Sequence, residues 1–130
     1  MSAPRISLRV DDVQAQDAAW RVRWSVRNEG DLPLRVYRAQ APHGRFRAGE
    51  RRLEVELEPG KHGLVELDVA ADVSWGNDVE NAFLILEASA GGVNGWRVLA
   101  RMRARVDDAG SPQVLIERID VQEVGFSGSA

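Results

Sequence analysis

The chain of 130 residues contains no cysteine. A disulfide framework, a thiolate metal site and a thiol nucleophile are therefore excluded, and the redox compartment is left open. Histidine is scarce: His43 and His62 are the only two, and each has a glycine beside it. General acid–base chemistry near neutral pH thus has few candidates. No glycine-rich loop precedes a helix, and Ser74 and Ser127 do not sit in the setting of a nucleophile elbow. These absences predict a chain without catalytic activity. No apolar run approaches the roughly 18 residues that a membrane-spanning helix needs. The start, Met1-Ser2-Ala3-Pro4-Arg5-Ile6, lacks the apolar stretch of a secretory leader. The expected location is the cytoplasm, or outside the cell for a form from which a leader has been removed. Lysine is also nearly missing, since sixteen of the seventeen basic residues are arginine. Arginine makes bidentate contacts with phosphate and carboxylate, although gene base composition yields the same bias.

What is present is alternation. From Trp96, one face carries Trp96, Val98, Ala100, Met102, Ala104 and Val106, and the other carries Arg97, Leu99, Arg101, Arg103 and Arg105. A period of two marks a strand with one buried face. Before it lies Ala82-Phe83-Leu84-Ile85-Leu86, the longest apolar run in the chain. Between them, residues 89–95 are glycine-rich and include Asn94-Gly95, a hairpin turn signal. A central hairpin over Asn81 to Val106 is expected.

The rest of the chain reads in the same way. Ile6 to Val10 is a first strand ended by Asp11-Asp12. Trp20, Val22, Trp24 and Val26 form the inner face of a second, with Arg21, Arg23, Ser25 and Arg27 outside. Leu34 to Tyr37 is a third. Ala39 to Glu50 has no consistent period and reads as a long loop or irregular edge. Leu53, Val55 and Leu57 alternate with Glu54, Glu56 and Glu58, and Val65, Leu67 and Val69 alternate with Glu66 and Asp68. Ala70 to Glu80 reads as a second long loop with Trp75 near its tip. Gln113 to Phe126 is a last strand with a bulge near Glu117-Arg118, and residues 127–130 are a flexible tail. Residues 1–126 form one domain.

About eight strands at this spacing predict an all-β, immunoglobulin-like antiparallel β-sandwich. Charge supports a particular strand order. Residues 1–52 carry eleven arginines against six acids, and residues 53–94 carry one lysine against nine. If strands one, two, five and four are neighbours, the outward Arg21, Arg23 and Arg27 face Glu66 and Asp68, with Glu54, Glu56 and Glu58 beyond. Opposite charges on neighbouring strands attract, so this order accounts for the asymmetry without a ligand.

Val26-Arg27-Asn28-Glu29-Gly30, followed by Leu57-Glu58-Pro59-Gly60 before an alternating strand, resembles the pattern of bacterial immunoglobulin-like modules. Of these the cell-adhesion-related bacterial domain (CARDB) is the nearest match, over about residues 20 to 70. The resemblance implies a seven- or eight-stranded fold with a binding or spacer role, often outside the cell.

Strand polarity brings the loops after strands one, three, five and seven to one end. They carry Asp11, Asp12 and Asp17; His43, Arg45, Phe46 and Arg47; Asp72, Trp75, Asp78 and Glu80; and Asp107 and Asp108. The stretch around His43, Arg45, Phe46 and Arg47, with Trp75, is the first candidate for partner binding, because rigid scaffolds present binding residues on loops. Alternatively Phe46 tucks into the core. Calcium, which takes six to eight oxygen ligands, is a possible cofactor at Asp11, Asp12, Asp72, Asp78, Glu80, Asp107 and Asp108. Two readings need no metal: acidic residues favour turns, and Arg45, Arg47, Arg51 and Arg52 are available to pair with them. The Arg97, Arg101, Arg103 and Arg105 stripe is the second candidate surface. Nucleic acid is disfavoured there, because net charge is −3 and no exposed aromatics interleave the stripe. The expected function is a non-catalytic protein-interaction or assembly module, with self-association through a sheet edge as one mode. The alternatives are a calcium-dependent adhesion or carbohydrate-binding module and a ligand-free spacer.

Overall fold

In the computed structural model, which describes residues 3–17 and 19–124, the alternating segments become eight antiparallel strands. They are β1 (Ile6–Gln16), β2 (Ala19–Asn28), β3 (Leu34–His43), β4 (Phe46–Leu57), β5 (His62–Ala71), β6 (Val79–Ala90), β7 (Val93–Val106) and β8 (Pro112–Glu123). No helix occurs among the described residues. The strands follow the order β1-β2-β5-β4-β3-β6-β7-β8 in a single sheet. That sheet curls until β1 lies close to β8, so the whole is nearly a closed barrel.

The alternating apolar residues line its interior. Val22, Trp24 and Val26 of β2, Val65 and Val69 of β5, Leu84 and Leu86 of β6, and Val98 and Met102 of β7 are fully buried. Trp20 and Trp96 are buried as well, as their positions on apolar faces predicted. At some 25 cal/mol per Å² of apolar surface, this interior is the main source of stability.

Several elements differ from the sequence-based expectation. Asp11-Asp12 does not end β1: a bulge between Val10 and Asp12 absorbs the extra residue, and pairing with β2 continues to Gln16. Ala39 to Glu50 is no loop. It is the distal half of a β3–β4 hairpin whose turn is Gly44-Arg45. Two register shifts, between Val36 and Arg38 and between Ala39 and Ala41, scramble the period. Pro42 lies past Gln40, the last β3 residue paired with β6, where one neighbouring strand remains and a missing N–H is tolerated. The β6–β7 turn falls at Gly91-Gly92 within the expected glycine-rich stretch 89–95, and Asn94-Gly95 belongs to β7. Gly91 and Gly92 have positive φ, +59° and +81°, as a tight two-residue hairpin requires. The loop after β5 shortens to residues 72–78, where a bridge between Ser74 and Asn77 closes a tight turn. In β8, Arg101 pairs with Arg118 and Met102 with Ile116, so Glu117 is the bulged residue where a bulge was expected. Phe126 and the 127–130 tail lie outside the described residues.

The neighbour order β1-β2-β5-β4 matches the charge argument, but only partly in register. Arg21 pairs with Asp68 and Arg23 with Glu66 across β2 and β5. β4, however, meets β5 only at Phe46–Ala71 and Arg47–Ala70, then runs along β3. Glu56 therefore sits opposite Arg35 and not beyond Glu66. The end of β4 still passes close to β5: a Cβ at Gly63 would lie 2.8 Å from Val55 Cγ1 and 3.1 Å from Leu57 Cδ2. The bare backbone of Gly63 lets the end of β4 pack down onto β5.

Candidate interaction surfaces

The loops after β3, β5 and β7 do meet at one end. Arg45 Nη2 donates to the Asp72 carbonyl at 3.1 Å, and the Asp72 amide donates to the Arg45 carbonyl at 2.8 Å. Trp75 Nε1 donates to Asp108 Oδ1 at 3.0 Å, tying the loop after β5 to the turn after β7. Trp75 is nevertheless 68% exposed, the most open of the large apolar residues among those described. His43 serves its own turn, its Nδ1 accepting from the Arg45 amide at 3.0 Å. Arg47 is exposed at the start of β4.

Phe46 does not join this surface. It is fully buried, and its ring meets Trp20 edge-on with centroids 6.4 Å apart. As the first residue of β4, paired with Ala71, it points inward and offers no ring to a partner. That is a correction to the loop reading of its surroundings.

The acidic residues do not converge either. Asp11 is bulged out in mid-β1, with Oδ2 3.5 Å from Arg23 Nη1, and Asp12 accepts from Gln14 at 3.1 Å. Asp72 is 3.8 Å from Arg45 Nε, and Glu80 is 3.2 Å from Arg103 Nη2. Asp107 caps its own turn, accepting from the amides of Ala109 at 3.0 Å and Ser111 at 2.8 Å. Asp108 holds Trp75. Asp78 lies exposed in the loop before β6. Among the described residues, no group of three acids or histidines is placed to hold a metal ion. Turn chemistry describes Asp107, and of the four arginines expected to pair with these acids Arg45 alone does so among the described residues, Asp11 and Glu80 being met by Arg23 and Arg103.

The outer face of β2 and β5 is a charge ladder. Arg21 Nε lies 3.2 Å from Asp68, Arg23 Nε 3.2 Å from Glu66, and Arg27 Nε 2.7 Å from Glu29. The hydrogen bond to Glu66, then the charges of Glu66 and Asp11, hold the Arg23 guanidinium above its usual pKa, against some desolvation. A raised arginine pKa stabilises the fold below the unfolded value and loses effect only at still more alkaline pH, so Arg23 stays charged at physiological pH.

The outer face of β7 is built otherwise. Arg103 meets Glu80 at 3.2 Å and Glu117 at 3.5 Å. Arg97, Arg101 and Arg105 have no carboxylate within 4 Å among the described residues. Glu87, directly across from Arg97, is taken by Arg38 at 3.1 Å. Arg101 has Phe83 on one side and Arg118 on the other, and Leu99 has Ile85 and Asp120. The Nε atoms of Arg97, Arg101, Arg103 and Arg105 are all buried without a hydrogen-bond acceptor. The side-chain stems therefore pack against the sheet, in the way long cationic side chains cover apolar surface. Half-buried Phe83 and Ile85, and Leu115 at 45% exposure, complete a mixed cationic and apolar face. Sequence reasoning missed these three. The signal for two was present in Ala82 to Leu86: an apolar run that does not alternate puts apolar side chains on both faces of its strand.

Compared with models of protein families and with curated protein sequences, the chain matches none.

Proposed function

We propose that the chain is a non-catalytic protein-interaction module of immunoglobulin-like architecture, whose contact surface is the outer face of β6, β7 and β8. Divided between β4 and β3, the strand order reads β1-β2-β5-β4 and β3-β6-β7-β8. That order supports the immunoglobulin-like reading, being the constant-type pairing with one strand added.

One observation carries the choice of surface. Each outward arginine of β2 has a carboxylate within 4 Å, whereas Arg97, Arg101 and Arg105 of β7 have none among the described residues. A row of cations held by packing, with half-buried apolar residues between them, has the composition of an interface centre, where arginine and aromatics concentrate binding energy. Arg45, Arg47 and Trp75 at the loop end form an outlying contact region. The absence of catalysis is supported by the histidines. His43 lies at the end of β5 near Ala71 and His62 starts that strand, about 30 Å away at 3.3 Å per residue.

The test is capture of partners from native lysate by the parent protein, by Arg97→Ser/Arg101→Ser and by Arg45→Ala/Trp75→Ala. A partner lost only with the first variant supports the β7 face. One lost only with the second returns the site to the loop end. Capture of nothing favours the spacer.

A further inference from the structure

The opposite leaf carries a feature that its charge ladder conceals. Ser25 alternates outward with Arg21, Arg23 and Arg27 on β2, yet it is only 7% exposed. An outward residue becomes this buried when its neighbours are taller. Here Arg27 follows along the strand, Arg9 stands opposite on β1 and Leu64 opposite on β5. The short side chain among long ones leaves a pit of about 290 Å³ lined by Ser7, Leu8, Arg9, Ser25, Arg27 and His62. The register sets two rows of three across it, Ser7–Arg27–His62 and Arg9–Ser25–Leu64. Every polar side chain of the rim is a donor.

Among the described residues, the Ser25 hydroxyl makes no hydrogen bond with the protein, and Arg9 has no carboxylate partner. Glu29 occupies the Nε side of Arg27 at 2.7 Å, so Arg9 supplies the uncompensated charge. His62 donates a ring N–H whether neutral or charged, and the hydroxyls of Ser7 and Ser25 donate from the floor and wall. Ser25, only 7% exposed as a residue, lines the pit beneath cationic and neutral donors, a lining that suits an acceptor with several oxygens. A tetrahedral oxyanion presents such oxygens in every direction, and charge-assisted bonds to it are about twice as strong as neutral ones.

We propose that this pit is a binding site for a small phosphate oxyanion, either free or as a monoester. Ser25 forms its floor, and Arg9, Arg27 and His62 are its charged or donating walls. The site is independent of the β7 face.

The test is a titration of the whole chain with inorganic phosphate, followed by ¹H–¹⁵N NMR at fixed pH, with sodium chloride exchanged to hold ionic strength constant. A saturating shift centred on the amides of Ser25, Arg27 and His62 is expected. Ser25→Ala and Arg9→Gln should each weaken binding by roughly tenfold, as loss of one hydrogen bond to a charged group does. Arg103→Gln on the other leaf should leave it unchanged. Each loss variant is first checked for the parent's pattern of dispersed resonances. A second titration with O-phosphoserine separates the sources: tighter binding than inorganic phosphate assigns the monoester, and weaker binding the free ion. Shifts that rise linearly without saturation, or that persist equally in both variants, overturn the proposal.

Discussion

Asn28 and Leu57 are joined although twenty-nine residues of chain separate them: the Asn28 side-chain amide donates to the Leu57 carbonyl at 2.9 Å. The same Nδ2 donates to the Leu32 carbonyl at 2.8 Å, and Oδ1 accepts from the Gly30 amide at 2.9 Å. The Asn28 amide donates to Lys61 O at 2.9 Å, and the Gly60 amide to Asn28 O at 2.8 Å. Val26 to Gly30 and Leu57 to Gly60 are thus two sides of one knot. It pins the end of β2 to the β4–β5 turn.

Asn28 is 1% exposed, and its loss removes a donor from the Leu57 carbonyl in a buried bond and from the Leu32 carbonyl in a part-buried one. Asn28→Ala should cost roughly 2–4 kcal/mol, the penalty of orphaning about two such groups. In urea the unfolding midpoint should fall with an unchanged slope. Asn28→Asp, which replaces the donor with an anion facing two carbonyl oxygens, should do no better. A midpoint shift under about 1 kcal/mol would mean the knot is redundant.

Phe46 and Arg45 are adjacent in sequence but should behave as different kinds of residue. Phe46→Ala opens a cavity beside Trp20 and should cost roughly 3–5 kcal/mol. Arg45→Ala removes an exposed contact with Asp72 and should cost under about 1 kcal/mol. Denaturant melts of the two variants decide it, and equal small effects would return Phe46 to the surface.

Sequence period alone locates the interior, because Trp24, Val65, Val98 and Met102 lie on faces that alternation marks. It fails where a bulge changes the face in mid-strand. Asp11 in β1 and the Val36–Ala41 stretch of β3 each shift register, and a reader counting by twos sees a strand end or a loop. The tight turn chosen by β6 and β7 was ambiguous for another reason: Gly91-Gly92 and Asn94-Gly95 both suit a two-residue turn, and only the pairing of Ala90 with Val93 selects the first. The ladder of Arg21 and Arg23 was legible because opposite charges on the outward faces of two strands mark them as neighbours. The unpaired state of Arg97 was not, since it depends on Arg38 claiming Glu87 from a strand forty-nine residues away. Ser25 was hidden because its burial comes from the height of its neighbours, which no local pattern encodes.

Glycine positions give a sharper contrast. Gly63→Ala must push Val55 away from a 2.8 Å approach, and should cost roughly 1–3 kcal/mol as overpacking does. Gly92 has open space around it but φ of +81°, so its constraint is conformational. Gly92→Asn should be nearly neutral and Gly92→Val should cost about 1–2 kcal/mol, because asparagine visits the left-handed region and a β-branched residue does not. Thermal melts of the three variants test whether packing at Gly63 and backbone at Gly92 are the separate causes assigned to them.

The last expectation concerns the charge state of the β7 face itself. Arg38 of β3 and Arg101 of β7 are both half-buried, but Arg38 has Glu87 at 3.1 Å while Arg101 has Arg118 opposite. Substitution by methionine retains the apolar stem and removes only the charge. Arg38→Met should then lose about 0.5–1 kcal/mol at low ionic strength, and most of that loss should vanish in about 1 M salt, where the screening length falls to about 3 Å. Arg101→Met removes a cation that no carboxylate offsets and that faces another cation. Its melting temperature should hold or rise at low salt, and the rise should disappear as salt is added. An interface cation held ready for a partner is expected to cost the free protein something in this way, since the compensating anion arrives with the partner. If Arg101→Met instead destabilises the free protein as much as Arg38→Met does, with the same dependence on salt, Arg101 is already neutralised within the chain. The β7 face would then lose its claim as the contact surface.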